Sequence, residues 1–437
     1  MPRLTAVILA AGQGTRMRSK TPKMLHDLCG WPIVRWPVEA AKGGGADRVV
    51  VVGGPDRAFE GRLPRDVELA VQEESRGTGD AVKSASARLT EGAVIVLNGD
   101  VPLITPEAIA DLARTHAESG AAATMVTMVL ADPGRYGRVV RDDAGDVVKV
   151  VETKADGDAT PDELAIREVN AGVYAFDGPK LLAALEALTP DNAQGEYFLP
   201  DVLPILRDGG ETVQAHCVDD ATVTLGINDR VDLSVVRRHA QRRIQERHML
   251  AGVTIVDPAS TDIDVTVTIG RDTTIEPFTT LKGATRIGED VRITKAHVVD
   301  STIEDGVTLG PYVHLRAGAV MRRGSKAGTF VELKNSDVGA GTKAPHLSYL
   351  GDADVGENTN IAAGNVTANY DGRDKHRTTI GANVRTGVDN TFVAPVTIGD
   401  GAVIAAGSVI TEDVPPDALG VARARQVNVE GYARRPR

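Results

Sequence analysis

Cysteine is nearly absent. Cys29 and Cys217 are the only two in 437 residues, which excludes a disulfide scaffold and leads us to expect a reducing compartment, the cytoplasm. Aromatic residues make up 3% of a chain that is 42% hydrophobic. The core must therefore be built from Val, Ile, Leu and Ala, and with 46 glycines this composition invites a search for repeats. No stretch approaches the roughly 18–20 consecutive apolar residues of a membrane span. The opening MPRLTAVILAAGQG is a short apolar run that passes into a glycine-rich turn without a signal-peptide cleavage pattern. Positive charge is not in excess: 49 Lys and Arg against 60 Asp and Glu leave −11, which argues against general nucleic-acid binding. At roughly 150 residues per domain the length fits two or three domains.

The first half alternates short apolar runs with segments of helical spacing. Residues 5–10 are a continuous apolar run ending in glycines, and 48–52 and 93–97 are similar. Leu181, Leu182, Leu185 and Leu188 share one helical face. This alternation predicts an α/β domain over 1–227, with a mostly parallel sheet covered on both faces. The pattern breaks at 228–250, where Leu233, Val236, Ala240 and Ile244 recur at helical spacing behind Asp229, a candidate N-cap. That segment reads as a linker helix, with Arg237, Arg238, Arg242, Arg243 and Arg247 on its solvated face.

From residue 251 to the end the period becomes six. Ile269, Ile275, Leu281, Ile287 and Ile293 are each six apart, as are Ile303, Leu309, Leu315 and Met321, and again Ile398, Ile404 and Ile410. Gly270, Gly288, Gly310, Gly381 and Gly399 each follow an aliphatic residue directly. This is the hexapeptide pattern of a parallel β-helix. Each hexapeptide makes one side of a triangular coil, its aliphatic residue points inward, and the coils are stable only when stacked. The period is interrupted at 334–335, 343–350 and 369–377, where a solenoid would carry functional loops. The basic tail at 434–437 reads as a disordered end rather than a functional one.

After the first strand run the chain reads Leu9-Ala10-Ala11-Gly12-Gln13-Gly14-Thr15-Arg16-Met17. Glycines at a strand end let backbone N–H groups approach a phosphate, and Arg16 and Lys23 add positive charge. The Gly-Lys-Ser/Thr of a Walker loop and the third glycine of a dinucleotide fingerprint are both missing, so glycines alone leave an ordinary strand-turn-helix connection open. Further pieces follow in order: Gln72, Gly77-Thr78-Gly79, Asn98-Gly99-Asp100-Val101-Pro102, Tyr136-Gly137-Arg138, Glu152, Asn170-Ala171-Gly172 and Asn228. Together they resemble the signature of sugar-nucleotide pyrophosphorylases. With the hexapeptide half, nearly the whole chain resembles the bifunctional N-acetylglucosamine-1-phosphate uridyltransferase / glucosamine-1-phosphate acetyltransferase family.

The resemblance implies a Rossmann-like α/β nucleotidyltransferase domain followed by a left-handed parallel β-helix, an exception to the usual right-handed crossover. It implies that Leu9, Ala10, Ala11 and Gly12 cradle UTP, that Arg16 and Lys23 neutralise phosphates, and that Gln72, Gly77 and Thr78 read the uracil. Asn98 and Gly99 adjoin the nucleotide; Asn98 stands where the family commonly has an aromatic residue. Asp100 and Asn228 would hold Mg²⁺, an oxygen-ligand pair that suits a hard cation. Gly137, Glu152, Asn170 and Asn228 would meet the sugar phosphate.

In the second half the resemblance makes His346 the general base of acetyl transfer. A histidine near neutral pH can take the proton of the attacking amine. Arg316, Lys334, Tyr349 and Asn360 would bind glucosamine-1-phosphate. Ala363, Asn369, Tyr370, Val388, Ala406 and Arg423 would surround acetyl-CoA. Three departures fall here: Ala362-Ala363-Gly364-Asn365 replaces the usual Gly-Ala-Gly-Thr, Val388 replaces a serine, and Pro345 precedes the base where glycine is usual. The family forms homotrimers through its β-helices, with acetyl sites between neighbouring subunits. Competing readings are a sugar-1-phosphate nucleotidyltransferase whose β-helix is only an assembly scaffold, a non-catalytic nucleotide-binding module, and a related enzyme using another nucleotide such as dTTP. The expected partners are small-molecule substrates and further copies of the chain, with no nucleic acid and no membrane.

Overall fold

The computed structural model describes residues 3–134, 136–153, 159–191 and 195–435; the end of the basic tail lies outside them. The chain divides into two compact units, Met1–Ala240 and Gln241–Arg437. The division falls within the helix Arg230–Leu250, after Ala240.

The first unit is organised around strands β1 (Leu4–Leu9), β2 (Arg48–Gly53), β3 (Glu68–Val71), β4 (Ala93–Asn98), β5 (Ala123–Val129), β6 (Glu168–Asp177) and β7 (Val213–Cys217). Every residue of β1 is buried, so both faces of the sheet centre must be covered. This is why its strands read as continuous apolar runs rather than alternating ones. Their order is β7-β5-β6-β4-β1-β2-β3. All neighbours are parallel except β6, which runs antiparallel to both β4 and β5. A hairpin of Arg138–Arg141 and Val147–Val151 joins through Val169 of β6. The fold is the expected Rossmann-like one. The long helix begins where its cap predicts, with Asp229 Oδ1 accepting from the N–H groups of Val231 and Asp232 at 2.8 and 3.0 Å.

The second unit is a left-handed parallel β-helix. Three sheets stack in parallel along its length. One inward ladder runs Leu281, Val298, Leu315, Leu333, Leu350, and another runs Ile287, Ile303, Met321, Val338, Val355. Of the residues that set the six-residue period, all but Ile269 are buried; Ile269 sits half-buried in a first-coil strand. At Gly310 φ is +103° and a Cβ would collide with the Thr294 carbonyl of the coil below, so only glycine turns that corner.

One expectation is corrected here. Residues 334–335 and 343–350 do not leave the solenoid: Glu332–Lys334, Lys343–His346 and Tyr349–Gly351 are ordinary strands paired in register with the coils on either side. The period is hidden because small residues, Ala327 and Ala344, fill the inward positions. The step from Met321 to Val338 is also 17 residues, against 18 from Ile303 to Met321. A true insertion occurs at 369–377, where the step from Val355 to its partner Ile380 lengthens to 25 residues.

His248, near the end of the long helix, is buried with no hydrogen-bond partner on Nε2. Burial, with Arg247 adding to it, lowers its pKa from 6.5 to about 4. The folded imidazole therefore stays neutral over a range where the unfolded one takes a proton. Stability is predicted to be lost as pH falls from 6.5 towards 4, and His248→Gln should flatten that part of a melting-temperature profile. Superimposable profiles for the two proteins would contradict this.

Candidate active sites

In the first unit the site is built by two strand ends. Leu9 pairs with Asn98, and Gly99 N–H donates to the Leu9 carbonyl at 2.8 Å. A Cβ on Gly99 would lie 2.9 Å from that carbonyl, so glycine lets the strand ends approach. This crevice beyond the carboxyl ends of parallel strands is where α/β sheets bind ligands. A cavity of about 420 Å³ opens there, lined by Leu9, Ala11, Gly12, Lys23, Gln72, Gly77, Thr78, Asn98, Asp100, Glu152 and Asn170, among others. A second cavity of about 500 Å³ shares Ala11, Gly12 and Lys23 and adds Ala10. Gly99 and Gly137 lie outside both linings and touch the pocket's residues through backbone, the Gly137 carbonyl accepting from Asn170 N–H at 2.9 Å.

The charged groups are already paired with one another. Lys23 Nζ lies 2.5 Å from Asp100 Oδ2, with side chains 10% and 21% exposed. Arg16 Nη2 donates to Asn228 Oδ1 at 3.0 Å, outside the cavity lining. Asn228 is held close to Asp100, because the preceding Ile227 donates its N–H to the Asp100 carbonyl at 2.9 Å. The Tyr136 phenol has its pKa raised, first by burial and then by the Asp232 and Asp100 carboxylates. Two hard oxygen donors, each now facing a cationic side chain, fit Mg²⁺ that completes its shell with phosphate and water. Among the described residues no group of three His, Cys, Asp or Glu could form a closed all-protein metal cage.

Sequence reasoning missed two supports of this pocket. The Gln72 amide donates from Nε2 to both the Gly77 carbonyl, at 3.1 Å, and Asp80 Oδ2, at 2.8 Å. Both neighbours accept only, so Oε1 is the end left for a ligand. The backbone of Tyr197 packs on Gly77 and Gly79, with Gly79 N–H donating to the Tyr197 carbonyl at 2.7 Å. The closely spaced glycines are a signal from which a close approach could have been read, but nothing local names the distant segment that makes it.

In the second unit one group of side chains gathers across adjacent coils. Lys334 Nζ lies 3.1 Å from Asp352 Oδ2, and the Asn369 amide donates to the same oxygen at 2.6 Å. Arg316 pairs with Glu332 at 3.0 Å. Lys375, from the insertion, lies against Lys334. That neighbouring ammonium is the first cause lowering the Lys375 pKa, and Arg316 adds to it. Tyr349 also acts electrostatically on Lys334. Sequence reasoning missed Lys375 and Asp352: the first sits in an irregular loop, and the second reads as one more corner aspartate. His346 is the exposed last residue of the strand Lys343–His346, its carbonyl accepting from Ser348 Oγ at 2.8 Å.

The remaining residues lie on later coils. Ala363 and Ala406 offer carbonyls to Asp389 N–H and to Arg423 Nη1, both at 2.8 Å. Val388 and Tyr370 are exposed, and Asn360 continues the Lys343 row towards Arg385. Asn365 bridges two coils through Nδ2, to the Ala362 carbonyl at 2.6 Å and the Gly387 carbonyl at 3.1 Å.

Comparison with known proteins agrees with both halves. The MobA-like NTP transferase domain matches residues 6–197, and the bacterial transferase hexapeptide family (six repeats) matches residues 377–412. Proteins named Bifunctional protein GlmU from Mycolicibacterium vanbaalenii and Streptomyces coelicolor are each 48% identical, over 99% of this chain and 93% and 94% of theirs. Another, from Mycobacterium tuberculosis, is 46% identical over 99% of this chain and 93% of its own. The chain belongs to the GlmU family. No described helix of this GlmU-family chain is long and apolar enough to cross a membrane.

Gly77 tests the pocket geometry. Its φ is +109° and a Cβ would lie 2.6 Å from the Tyr197 carbonyl oxygen, a strain of about 1–3 kcal/mol for any other residue. Gly77→Ala is predicted to raise the Kd for UTP, measured by calorimetry, by roughly tenfold or more. An unchanged Kd would show that this turn does not shape the nucleotide site.

Proposed function

We infer that the chain makes UDP-N-acetylglucosamine, a cell-wall precursor, by two reactions: acetyl transfer from acetyl-CoA to glucosamine-1-phosphate, then uridylyl transfer from UTP to the N-acetylated product. One observation carries this reading. A single polypeptide holds a strand-end cavity with an exchangeable Lys23–Asp100 pair, and also three cations, Arg316, Lys334 and Lys375, drawn together on a β-helix that displays His346. Its place of work is the cytoplasm, in keeping with Cys29 and Cys217 not being joined in a disulfide.

In uridylyl transfer a phosphate oxygen of the sugar attacks the α-phosphorus of UTP, one P–O bond forms, and the bond to the departing pyrophosphate breaks. The nucleophile is already an anion, so no base is needed. The barrier is repulsion and misalignment between two polyanions. Leu9, Ala10, Ala11 and Gly12 bring backbone to the nucleotide, and Lys23 and Arg16 exchange their protein partners for phosphate oxygens. Gln72, with its nitrogen committed to Gly77 and Asp80, offers Oε1 to the N3–H of uracil. Glu152 and Asn170 meet the sugar. Asp100 and Asn228 would hold Mg²⁺, which would supply neutralisation of the triphosphate charge.

In acetyl transfer the amine of glucosamine-1-phosphate attacks the thioester carbonyl and coenzyme A leaves as the thiol. His346 takes the proton the amine sheds. Arg316, Lys334 and Lys375 receive the sugar phosphate, and Tyr349 and Asn360 hold the sugar. Asn369 and Tyr370 border the acetyl group, and Ala363, Val388, Ala406 and Arg423 line the coenzyme side. The chain acts as a homotrimer. This is supported by an exposed stripe of Phe278, Tyr312, Phe330 and Leu347. These are bulky residues that all have positive φ, and Tyr312 stacks on Phe330 at 5.3 Å. Such a stripe marks a protein interface.

The two reactions should separate by mutation. Asp100→Ala is expected to reduce UDP-sugar formation by about 10²-fold or more with acetylation intact, and His346→Ala to do the reverse. Coenzyme A release and pyrophosphate release, measured on the same preparations, read the two activities. Parallel loss of both in either variant would contradict two independent centres.

A further inference from the structure

We propose that Asp352 is a positioning residue for acetyl transfer: it fixes the Asn369 amide so that its side-chain oxygen is presented to the amino group of the sugar. The proposal rests on the acetyltransferase reading above.

Asp352 turns the corner between the strands Tyr349–Gly351 and Ala353–Val355. Its φ is +50° and its side chain is only 10% exposed. Other corner aspartates of this β-helix spend an oxygen on the backbone of an adjacent coil: Asp300 accepts from Ala284 N–H, Asp305 from Glu289 N–H and Asp400 from Ala382 N–H. Those bonds stitch coil to coil. Asp352 instead accepts from three side chains. Asn335 Nδ2 reaches Oδ1 at 2.7 Å, Asn369 Nδ2 reaches Oδ2 at 2.6 Å, and Lys334 Nζ lies 3.4 and 3.1 Å from the two oxygens. Two of these donors belong to the proposed acetyl site.

The chemistry of the partners settles which way Asn369 turns. An ionised carboxylate only accepts, so the end of the Asn369 amide that meets it must be the NH₂ group. Burial raises the Asp352 pKa, but the bonds from Asn335, Lys334 and Asn369 outweigh it and the net shift is downward. The carboxylate therefore stays ionised and keeps its acceptor character. With Nδ2 committed, Oδ1 is what Asn369 offers a ligand. An acceptor there suits a donor on the substrate. The sugar amine has N–H groups to give, and a hydrogen bond to one of them fixes the direction of the lone pair that attacks the thioester. The same carboxylate also meets Lys334 Nζ, against which Lys375 lies.

Exchanging donor and acceptor tests the polarity. Asp352→Asn puts an NH₂ group among the three donors. One acceptor oxygen then serves three donors, so Asn369 loses its fixed orientation and its nitrogen can turn to the substrate. The kcat for acetylation should fall by about 10- to 100-fold, while the KM for glucosamine-1-phosphate stays within about twofold. The double variant Asp352→Asn/Asn369→Asp reverses the pair. Its amide donates to the new carboxylate, which again presents an oxygen, and it should regain about tenfold in kcat over Asp352→Asn alone. Asn369→Asp alone sets two carboxylates together and should not be active. Uridylyl transfer and the melting temperature report folding of each preparation. Wild-type kcat in Asp352→Asn would overturn the proposal. So would a double variant no better than that single one, or a parallel rise in both KM values with a lowered melting temperature. Failure of the wild-type chain to acetylate glucosamine-1-phosphate would instead sink the acetyltransferase reading, and this inference with it.

Discussion

A site that binds phosphate has to collect cations, and collected cations repel one another until the phosphate arrives. Both units of this chain meet that constraint with a carboxylate that holds a lysine in place. In the first, Asp100 holds Lys23 at 2.5 Å. In the second, Asp352 holds Lys334 at 3.1 Å, while Lys375 crowds the same ammonium. These are partly buried pairs, so they are less screened than surface pairs, yet each partner can be exchanged for a ligand of the same charge. The cost of ordering a long side chain is met before the substrate binds, which is how pre-organised electrostatics lower a barrier.

The two scaffolds reach this arrangement differently. In the α/β unit, β1 and β4 end side by side, and the site is assembled from turns that follow strands far apart in sequence. In the β-helix, register does the work. Stacking brings Lys334 level with Gly351, and Glu332 level with Tyr349, so residues 17 apart become neighbours. The single long insertion then adds Lys375 from outside the regular coils. Each centre draws these charged side chains from one unit of the chain alone, and this underlies the claim of separable activities.

Much of this was legible in the sequence, for physical reasons. A buried parallel sheet needs unbroken apolar strands, and 5–10, 48–52 and 93–97 read that way. A hexapeptide coil needs one aliphatic residue per side, and Ile287, Ile303 and Ile398 marked the period. The period failed where alanine filled the inward position, at Ala327 and Ala344, which made ordinary strands read as interruptions. Side-chain pairings were not legible. Lys23 with Asp100, Gln72 with Asp80 and Asn369 with Asp352 join residues whose proximity depends on tertiary register. Lys375 escaped notice because a lysine in an irregular loop carries no pattern. The roles of individual residues came from family resemblance, and the structure adds which of those residues touch.

The most direct measurement follows both products from one purified preparation given glucosamine-1-phosphate, acetyl-CoA, UTP and Mg²⁺, with each component then omitted in turn. The account predicts UDP-N-acetylglucosamine only when all four are present. It also predicts that coenzyme A is still released without UTP or Mg²⁺, and that uridylyl transfer is restored without acetyl-CoA when N-acetylglucosamine-1-phosphate is supplied. Loss of coenzyme A release on removing Mg²⁺ or UTP, or UDP-sugar formation that never depends on acetyl-CoA, would contradict two independent centres on one chain.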